Sequence, residues 1–200
     1  MGLTLTYDTG QTPLDEDEKD GLLITNINTQ GQLDELEQRN IEDAMLWIMK
    51  RRKPKDAKDI LNEAFIKQVH VKMFGKVWKW AGTFRNSNKN LGVDKYQIGI
   101  SLRTLLDDCN FRIANHTFPE DEIAIRFKHT IVSIHCFPNG NGRHSRLMAD
   151  IIAEKLFDKE VFSWGSKALI KPGVARKAYL DALHEADKGN YQPLVMFARS

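Results

Sequence analysis

The stretch His-Cys-Phe-Pro-Asn-Gly-Asn-Gly-Arg-His-Ser-Arg-Leu-Met, residues 135–148, sets a histidine, a glycine-rich turn and two arginines within one short span. Apolar residues at helical spacing precede it (Ile123, Phe127, Ile131, Ile134) and follow it (Leu147, Met148, Ile151, Ile152). The span therefore reads as a helix, a tight loop and the N-terminus of a second helix. Such an N-terminus carries unpaired backbone N–H groups backed by the positive end of the helix dipole, which makes an anion site. Gly140 and Gly142 let a ligand approach the backbone, and Asn141 stands between them. Arg143 and Arg146, three apart on the new helix, can face one polyanion. His135 stands at the entrance, where a neutral imidazole can take a proton from a hydroxyl. A base beside a polyphosphate site suggests transfer of a phosphorus-centred group to an alcohol.

Outward from the loop the chain reads as mainly α. Residues 1–30 form a polar, turn-rich arm, and 31–200 form one domain. Helices are expected over Gln32–Met49, Ala57–Phe74, Ser101–His116 and 175–187, with a short aromatic helix ending at Trp80. Thr117 with Glu120 suggests a capping box opening the helix before His135. Glycines and the Asn-Ser-Asn-Lys-Asn cluster within 80–98 suggest a small β-hairpin.

Composition narrows the classes. The chain has 200 residues, 42% of them hydrophobic, with a net charge of +2, enough for a sizeable core and too balanced to announce a nucleic-acid partner. The basic run Lys-Arg-Arg-Lys-Pro-Lys at 50–55 reads as solvated surface, and no nucleic-acid-binding motif is complete. Two cysteines, no secretory pattern and no membrane-length apolar run point to a cytoplasmic protein without a membrane partner. His129, His135, His144 and Asp150 lack a metal-protease spacing, and Cys136 reads as a buried thiol rather than a nucleophile.

The loop resembles the signature of the Fic family, His-x-Phe-x-[Asp/Glu]-Gly-Asn-Gly-Arg-x-x-Arg. Val-Trp-Lys-Trp-Ala-Gly-Thr-Phe-Arg (77–85) is similar to the family's lead into its flap, and the run from Tyr179 to Leu194 to its closing helix and turn. The wording is most similar to the branch called mobile mystery protein B. The resemblance implies a Fic-fold helical bundle with one small β-hairpin flap near the active site. It also implies transfer of AMP from ATP to a Ser, Thr or Tyr hydroxyl of a target protein, in a toxin-like module. His135 would be the base, Gly140, Asn141 and Gly142 the anion hole, and Arg143 and Arg146 the hold on the β- and γ-phosphates. Gly92, Tyr96, Gln97 and Ile98 of the flap would dock the target. Asn139 stands where the family carries a carboxylate for Mg²⁺, and a neutral amide implies weak metal binding or a silent or altered donor site. The family's inhibitory pattern, [Ser/Thr]-x-x-x-Glu-[Gly/Asn], is met only in its first part by Thr12–Glu16. A looser version at 33–38 has Leu33 in place of the hydroxyl. Inhibition is therefore expected from a separate antitoxin-like protein rather than from Glu16 or Glu37 on Arg146.

Overall fold

The structure is a computed structural model that describes residues 13–166 and 172–200, the side chains of 172 and 173 excepted. Residues 1–12, the first part of the expected arm with Thr12, lie outside the described residues, as do 167–171 of the connection before the last expected helix. Among the described residues eight α-helices follow in order: α1 Glu16–Lys19, α2 Gln30–Met49, α3 Glu63–Phe74, α4 Ile98–Asn115, α5 Glu120–Ile134, α6 Asn141–Phe157, α7 Pro172–Asp187 and α8 Gln192–Arg199. The fold is mainly α, as expected.

Helices α5 and α6 form the centre. They pack closely on each other, with α4 against α5 and α3 against α6. The apolar stripes that flank the loop supply the interface: Ile123, Phe127, Ile131 and Ile134 are buried on α5, and Leu147, Met148, Ile151 and Ile152 on α6. Phe137, between them, is fully buried and stacks on His70 of α3 at 3.8 Å between ring centroids. The loop is therefore anchored from below by an aromatic plug.

Several expected boundaries move, each for a local reason. Helix α2 starts at Gln30, where Thr29 and Gln32 form a reciprocal capping box. The expected Ala57–Phe74 helix is split into a single 3₁₀ turn, Ala57–Asp59, and α3, because the Asn62 Oδ1 accepts the Phe65 N–H at 2.8 Å and caps a fresh start. Thr117 does not cap α5. Pro119 is the N-cap, and a residue before proline is pushed away from helical dihedrals, so Phe118 cannot belong to the first turn. Residues 76–80 are turns rather than a helix, with Trp78 and Trp80 stacked at 5.0 Å. Within 13–30 the arm contains α1, and Leu22 makes an isolated bridge with Trp78.

The expected β-hairpin is not formed. Among the described residues there is no strand, and 83–97 is an irregular loop ending in a 3₁₀ turn, Lys95–Gln97. Side chains do what a strand ladder would have done. Arg85 donates to the Ser87 carbonyl at 2.8 Å and to the Val93 carbonyl, Asn88 accepts the Lys95 N–H at 2.8 Å, and Asp94 accepts the Tyr96 N–H at 2.9 Å. The loop's own backbone pairs with the motif loop instead, Arg85 N–H to the Cys136 carbonyl and Val93 N–H to the Ile134 carbonyl.

Candidate active site

Helix α5 ends in His135, whose left-handed backbone (φ 57°) turns the chain out of the helix. A non-glycine residue in that region costs roughly 1–2 kcal/mol, so the surroundings hold it there. The hold comes largely from Arg85. This buried side chain donates to the His135 carbonyl at 2.6 Å as well as to Ser87 and Val93, and so ties the flap loop to the end of α5. Gly92 lies directly over the histidine: a Cβ there would sit 2.6 Å from the His135 Cβ. Its φ of 105° suits glycine alone.

The imidazole itself is buried, and its Nε2 has no hydrogen-bond partner. Burial, then the charges of Arg85 and Lys89, lower its pKa to about 4, against a hydrogen bond to the Val132 backbone that raises it. The ring is therefore neutral at neutral pH, with an unengaged nitrogen. That is the state a general base requires.

On the other side of the loop, Gly140 (φ 77°) is the N-cap of α6, and a Cβ there would meet the Phe74 ring at 2.6 Å. Asn141 is buried and its amide is spent on the loop, accepting the Phe137 N–H at 2.9 Å and donating to the Phe137 carbonyl at 2.7 Å. Its side chain shapes the turn, so a ligand would meet its backbone N–H. Space is open at Gly142, where an added Cβ would find nothing within 4 Å. The first N–H groups of α6 thus face an accessible volume.

Arg143 and Arg146 flank this N-terminus and lean to opposite sides rather than along one face. Arg143 points toward α2, where its Nη1 lies 2.6 Å from the Glu37 Oε2 and its guanidinium 4.9 Å from the Phe74 ring. Glu37 is buried and also accepts the Trp78 indole N–H at 2.5 Å. Arg146 points toward the C-terminal segment, 4.6 Å from the Tyr179 ring and 5.7 Å from the Trp164 ring. Neither Glu16 nor Glu37 pairs with Arg146; the glutamate contact falls on the first arginine of the motif. The spacing at 33–38 pointed to Glu37, but nothing in the sequence tied it to Arg143, 106 residues away.

Asn139 offers Mg²⁺ no carboxylate. Its Oδ1 accepts the Gly140 N–H at 2.6 Å, its carbonyl accepts the His70 Nε2–H at 3.1 Å, and no cluster of metal-binding side chains occurs among the described residues. Without a carboxylate and with its oxygen engaged in the turn, this position does not fit a protein-held Mg²⁺. The other side chains considered for metal or nucleophilic chemistry have separate duties. His129 contacts Asp187 at 2.8 Å, His144 donates to the Ile66 carbonyl at 3.1 Å, and Asp150 accepts the Trp164 indole N–H at 3.1 Å. Burial pushes the thiols of Cys109 and Cys136 up to about 12, which leaves both unreactive.

Of the expected flap residues, Gly92 covers His135 and Tyr96 is 80% exposed. Gln97 closes the 3₁₀ turn, while Ile98 begins α4 and is buried in the core rather than presented to a partner. Three residues with clear roles escaped the sequence reading: Arg85, Lys128 and Tyr179. Lys128 carried a signal, since it occupies an inward position of α5 between Ala124 and Ile131. Arg85 and Tyr179 carried none, because their partners are remote in sequence.

A cavity of about 480 Å³ lies away from this loop and is lined by Arg51, Arg52, Lys53, Lys55 and Lys155. These cations gather where α2 and α6 end, and they offset the negative ends of two helix dipoles.

Buried titrating groups give the site a pH signature. Burial lowers His135 and His144 to about 4 and His70 well below 6.5, so in the unfolded chain each would take up a proton between pH 6.5 and about 4. Burial raises Asp150 to about 7, so the folded protein keeps one extra proton across the same range. Three protons gained on unfolding outweigh the one lost. Stability is therefore expected to fall on acidification from pH 6.5 to 4, at about 1.4 kcal/mol per pH unit for each net proton. Urea midpoints at pH 7, 6, 5 and 4 would check this; a midpoint that rises on acidification would contradict it.

With the geometry in place, comparison with known proteins identifies the scaffold. A family model described as the Fic/DOC family matches residues 60–153. Among solved structures, a Fic-domain signaling protein from Bacteroides thetaiotaomicron superposes with a TM-score of 0.62 at 17% identity, covering 80% of this chain and 66% of that one. A segment of Fic-1 from C. elegans gives 0.64 at 21% identity, with 88% of this chain and 50% of that one covered. BepC from Bartonella tribocorum with bound AMPPNP gives 0.62 at 17% identity, covering 92% and 97%. The chain thus spans two thirds or less of the first two, and at these identities the likeness is one of fold. No helix among the described residues is long and apolar enough to cross a membrane. The span that carries the motif loop thus matches the Fic/DOC family model, and the fold is that of Fic-domain structures across most of the chain.

Proposed function

We propose that the protein is a nucleotide-dependent transferase that moves AMP from ATP to a hydroxyl side chain of a target protein. The observation that carries this reading is the unpartnered, neutral His135 Nε2 beside an open helix N-terminus flanked by Arg143 and Arg146. The bound AMPPNP of BepC supports a triphosphate nucleotide as the anion. His135 takes the proton of the target hydroxyl, the oxygen forms a bond to the α-phosphorus, and the bond to the β-phosphate oxygen breaks, releasing pyrophosphate. The N–H groups of Asn141, Gly142 and Arg143 receive phosphate oxygens, and the two arginines neutralise the leaving group. Any Mg²⁺ would arrive with the nucleotide, since Asn139 offers it little. The target would dock beside the flap, at the exposed Leu91, Tyr96 and Ile100.

A second reading, a nucleotide-binding protein with silent chemistry, is favoured by Asn139 and by the Glu37 contact, which occupies Arg143 before any phosphate arrives. ATP labelled on either the α- or the γ-phosphate, incubated with a bacterial lysate, separates the two. Protein labelled from α alone supports AMP transfer. Label from γ alone excludes it, and ATP binding without label favours the silent form.

The Glu37 contact also has a sign. Glu37→Gln keeps an acceptor for Trp78 and removes the charge that competes for Arg143. This variant is expected to bind ATP about tenfold more tightly by calorimetry, as a gain near 1.4 kcal/mol would give. Unchanged or weaker binding would show that Glu37 aligns Arg143 rather than occupying it. A separate antitoxin-like inhibitor, if one exists, would then act on top of this internal contact.

A further inference from the structure

We propose that Tyr179 of α7, held by the buried Lys128, donates a hydrogen bond to the terminal phosphate that Arg146 meets, so that α7 completes the anion site, an assignment that rests on the nucleotide reading above.

Lys128 is a fully buried cation on α5, seven residues, or about two helical turns, before His135 and so on the same side of the helix. Among the described residues its hydrogen-bond partner is the Tyr179 hydroxyl, at 2.6 Å, and no carboxylate lies within ion-pair distance. Asp187, whose charge reaches it, is 2.8 Å from His129. A buried ammonium without an anion is costly, and few folds retain one without use.

Its chemistry fixes the direction of the bond. An ammonium only donates, so the phenolic oxygen accepts, and the Tyr179 proton is left for a second acceptor. No such acceptor is found among the described residues. Arg146 lies against the same ring at 4.6 Å and also donates to the phenolic oxygen; among the described residues it has no carboxylate partner, and its Nε is buried with nothing to bond. Asp150, one turn along α6, is turned to the Trp164 indole and the Phe162 N–H instead. Burial raises the Tyr179 phenol, yet the charges of Lys128 and Arg146 outweigh it and lower the pKa, which strengthens the hydroxyl as a donor. Two cations and an O–H without an acceptor thus converge, with no anion between them among the described residues. Trp164 closes the far side of Arg146 at 5.7 Å and keeps the guanidinium in place.

A phosphate oxygen fits this set: it accepts from the phenol and from Arg146 and balances the buried charge. Lys128 does not reach the ligand and is a positioning residue, acting through the phenol. Tyr179 and Trp164 lie beyond the 60–153 family match, so this contact is an addition to the matched core.

The test is calorimetric titration of the full chain with ATP, ADP, AMP and inorganic triphosphate. Tyr179→Phe keeps the ring under Arg146 and removes only the hydroxyl. It is expected to weaken ATP and triphosphate about tenfold, as loss of a hydrogen bond to a charged group does, and to leave AMP unchanged. Lys128→Met should give the same pattern, and the double variant should be no weaker than the worse single variant, because the lysine works through the tyrosine. Wild-type affinity for ATP in Tyr179→Phe, or an equal loss for AMP, overturns the assignment while leaving the nucleotide reading intact. A wild-type protein that binds neither ATP nor triphosphate removes both. Binding of triphosphate but not ATP keeps the anion contact and removes the nucleotide.

Discussion

Replacing His135 by alanine is expected to lower transfer of the α-labelled group by two to four orders of magnitude, roughly the range for loss of a general base, while leaving ATP affinity within about threefold. The separation follows from geometry. The Nε2 has no partner in the folded protein and the ring's hydrogen bond goes to the Val132 backbone of its own helix, so its removal breaks no contact with the start of α6. The phosphate contacts come from the start of α6 and from the arginines on either side of it. Alanine does inherit the left-handed backbone at 135, where asparagine is more comfortable. His135→Asn is therefore the companion variant, and both should bind nucleotide without transferring it. The pH profile gives a sharper check. With the imidazole lowered to about 4, the acid limb of the wild-type rate should fall near pH 4 and the rate should be flat from about pH 5 upward. A limb near 6.5 would mean that the flap does not desolvate the ring during turnover. Retained transfer in both variants would end the base assignment.

How much of this was readable in advance depends on range along the chain. The two helices of the motif were legible because burial repeats within them: Ile123, Phe127, Ile131 and Ile134 on one side, Met148, Ile151 and Ile152 on the other. The loop was legible because glycine at a positive φ and a helix start are local facts, and Gly140 satisfies both. On α2 the pattern was misread in part. Hydropathy at helical spacing puts Met45 inward, yet it is 45% exposed, because the buried face runs through Leu33, Glu37, Asn40, Ala44 and Ile48 and includes two polar residues. A hydropathy pattern discounts a buried glutamate, and its reason, Arg143 and Trp78, comes from distant helices and turns. The flap failed differently. Asn, Gly and Asp clusters are common in hairpins, but the same side chains can bond the backbone directly, as Asn88 and Asp94 do here. Which outcome prevails was decided by Arg85, whose partners lie on both sides of the loop. No local pattern encodes that choice.

Arg85 also carries the largest expected effect on stability. Arg85→Met keeps much of the buried volume and removes the guanidinium that serves the carbonyls of His135, Ser87 and Val93. Losing the donor costs about 1–3 kcal/mol at the buried His135 carbonyl and less at the half-buried Ser87 and Val93 carbonyls, and relief of the buried charge returns part of this, so a net loss of about 2–4 kcal/mol is expected. Against a typical total of about 5–15 kcal/mol that is a large fraction. Arg85→Lys should not rescue it, since one ammonium cannot span carbonyls on both sides of the loop. The consequences extend beyond the urea midpoint. With the flap released, the Val93 N–H loses its contact with the Ile134 carbonyl and should exchange with solvent faster than the amides of α5. His135 should also change, because burial and the Arg85 charge are the two leading causes of its low pKa. Both are removed together, so its titration, followed by NMR, should move from about 4 toward the ordinary value near 6.5. A less stable Arg85→Met with a mobile flap and an unchanged His135 would mean that the ring is desolvated by α5 alone. A variant as stable as the wild type, with Val93 still protected, would show that the loop seats itself without the arginine. The coupled outcome, in which stability, flap protection and histidine titration shift together, is the one this geometry demands: the side chain that builds the loop is also the one that keeps the base neutral.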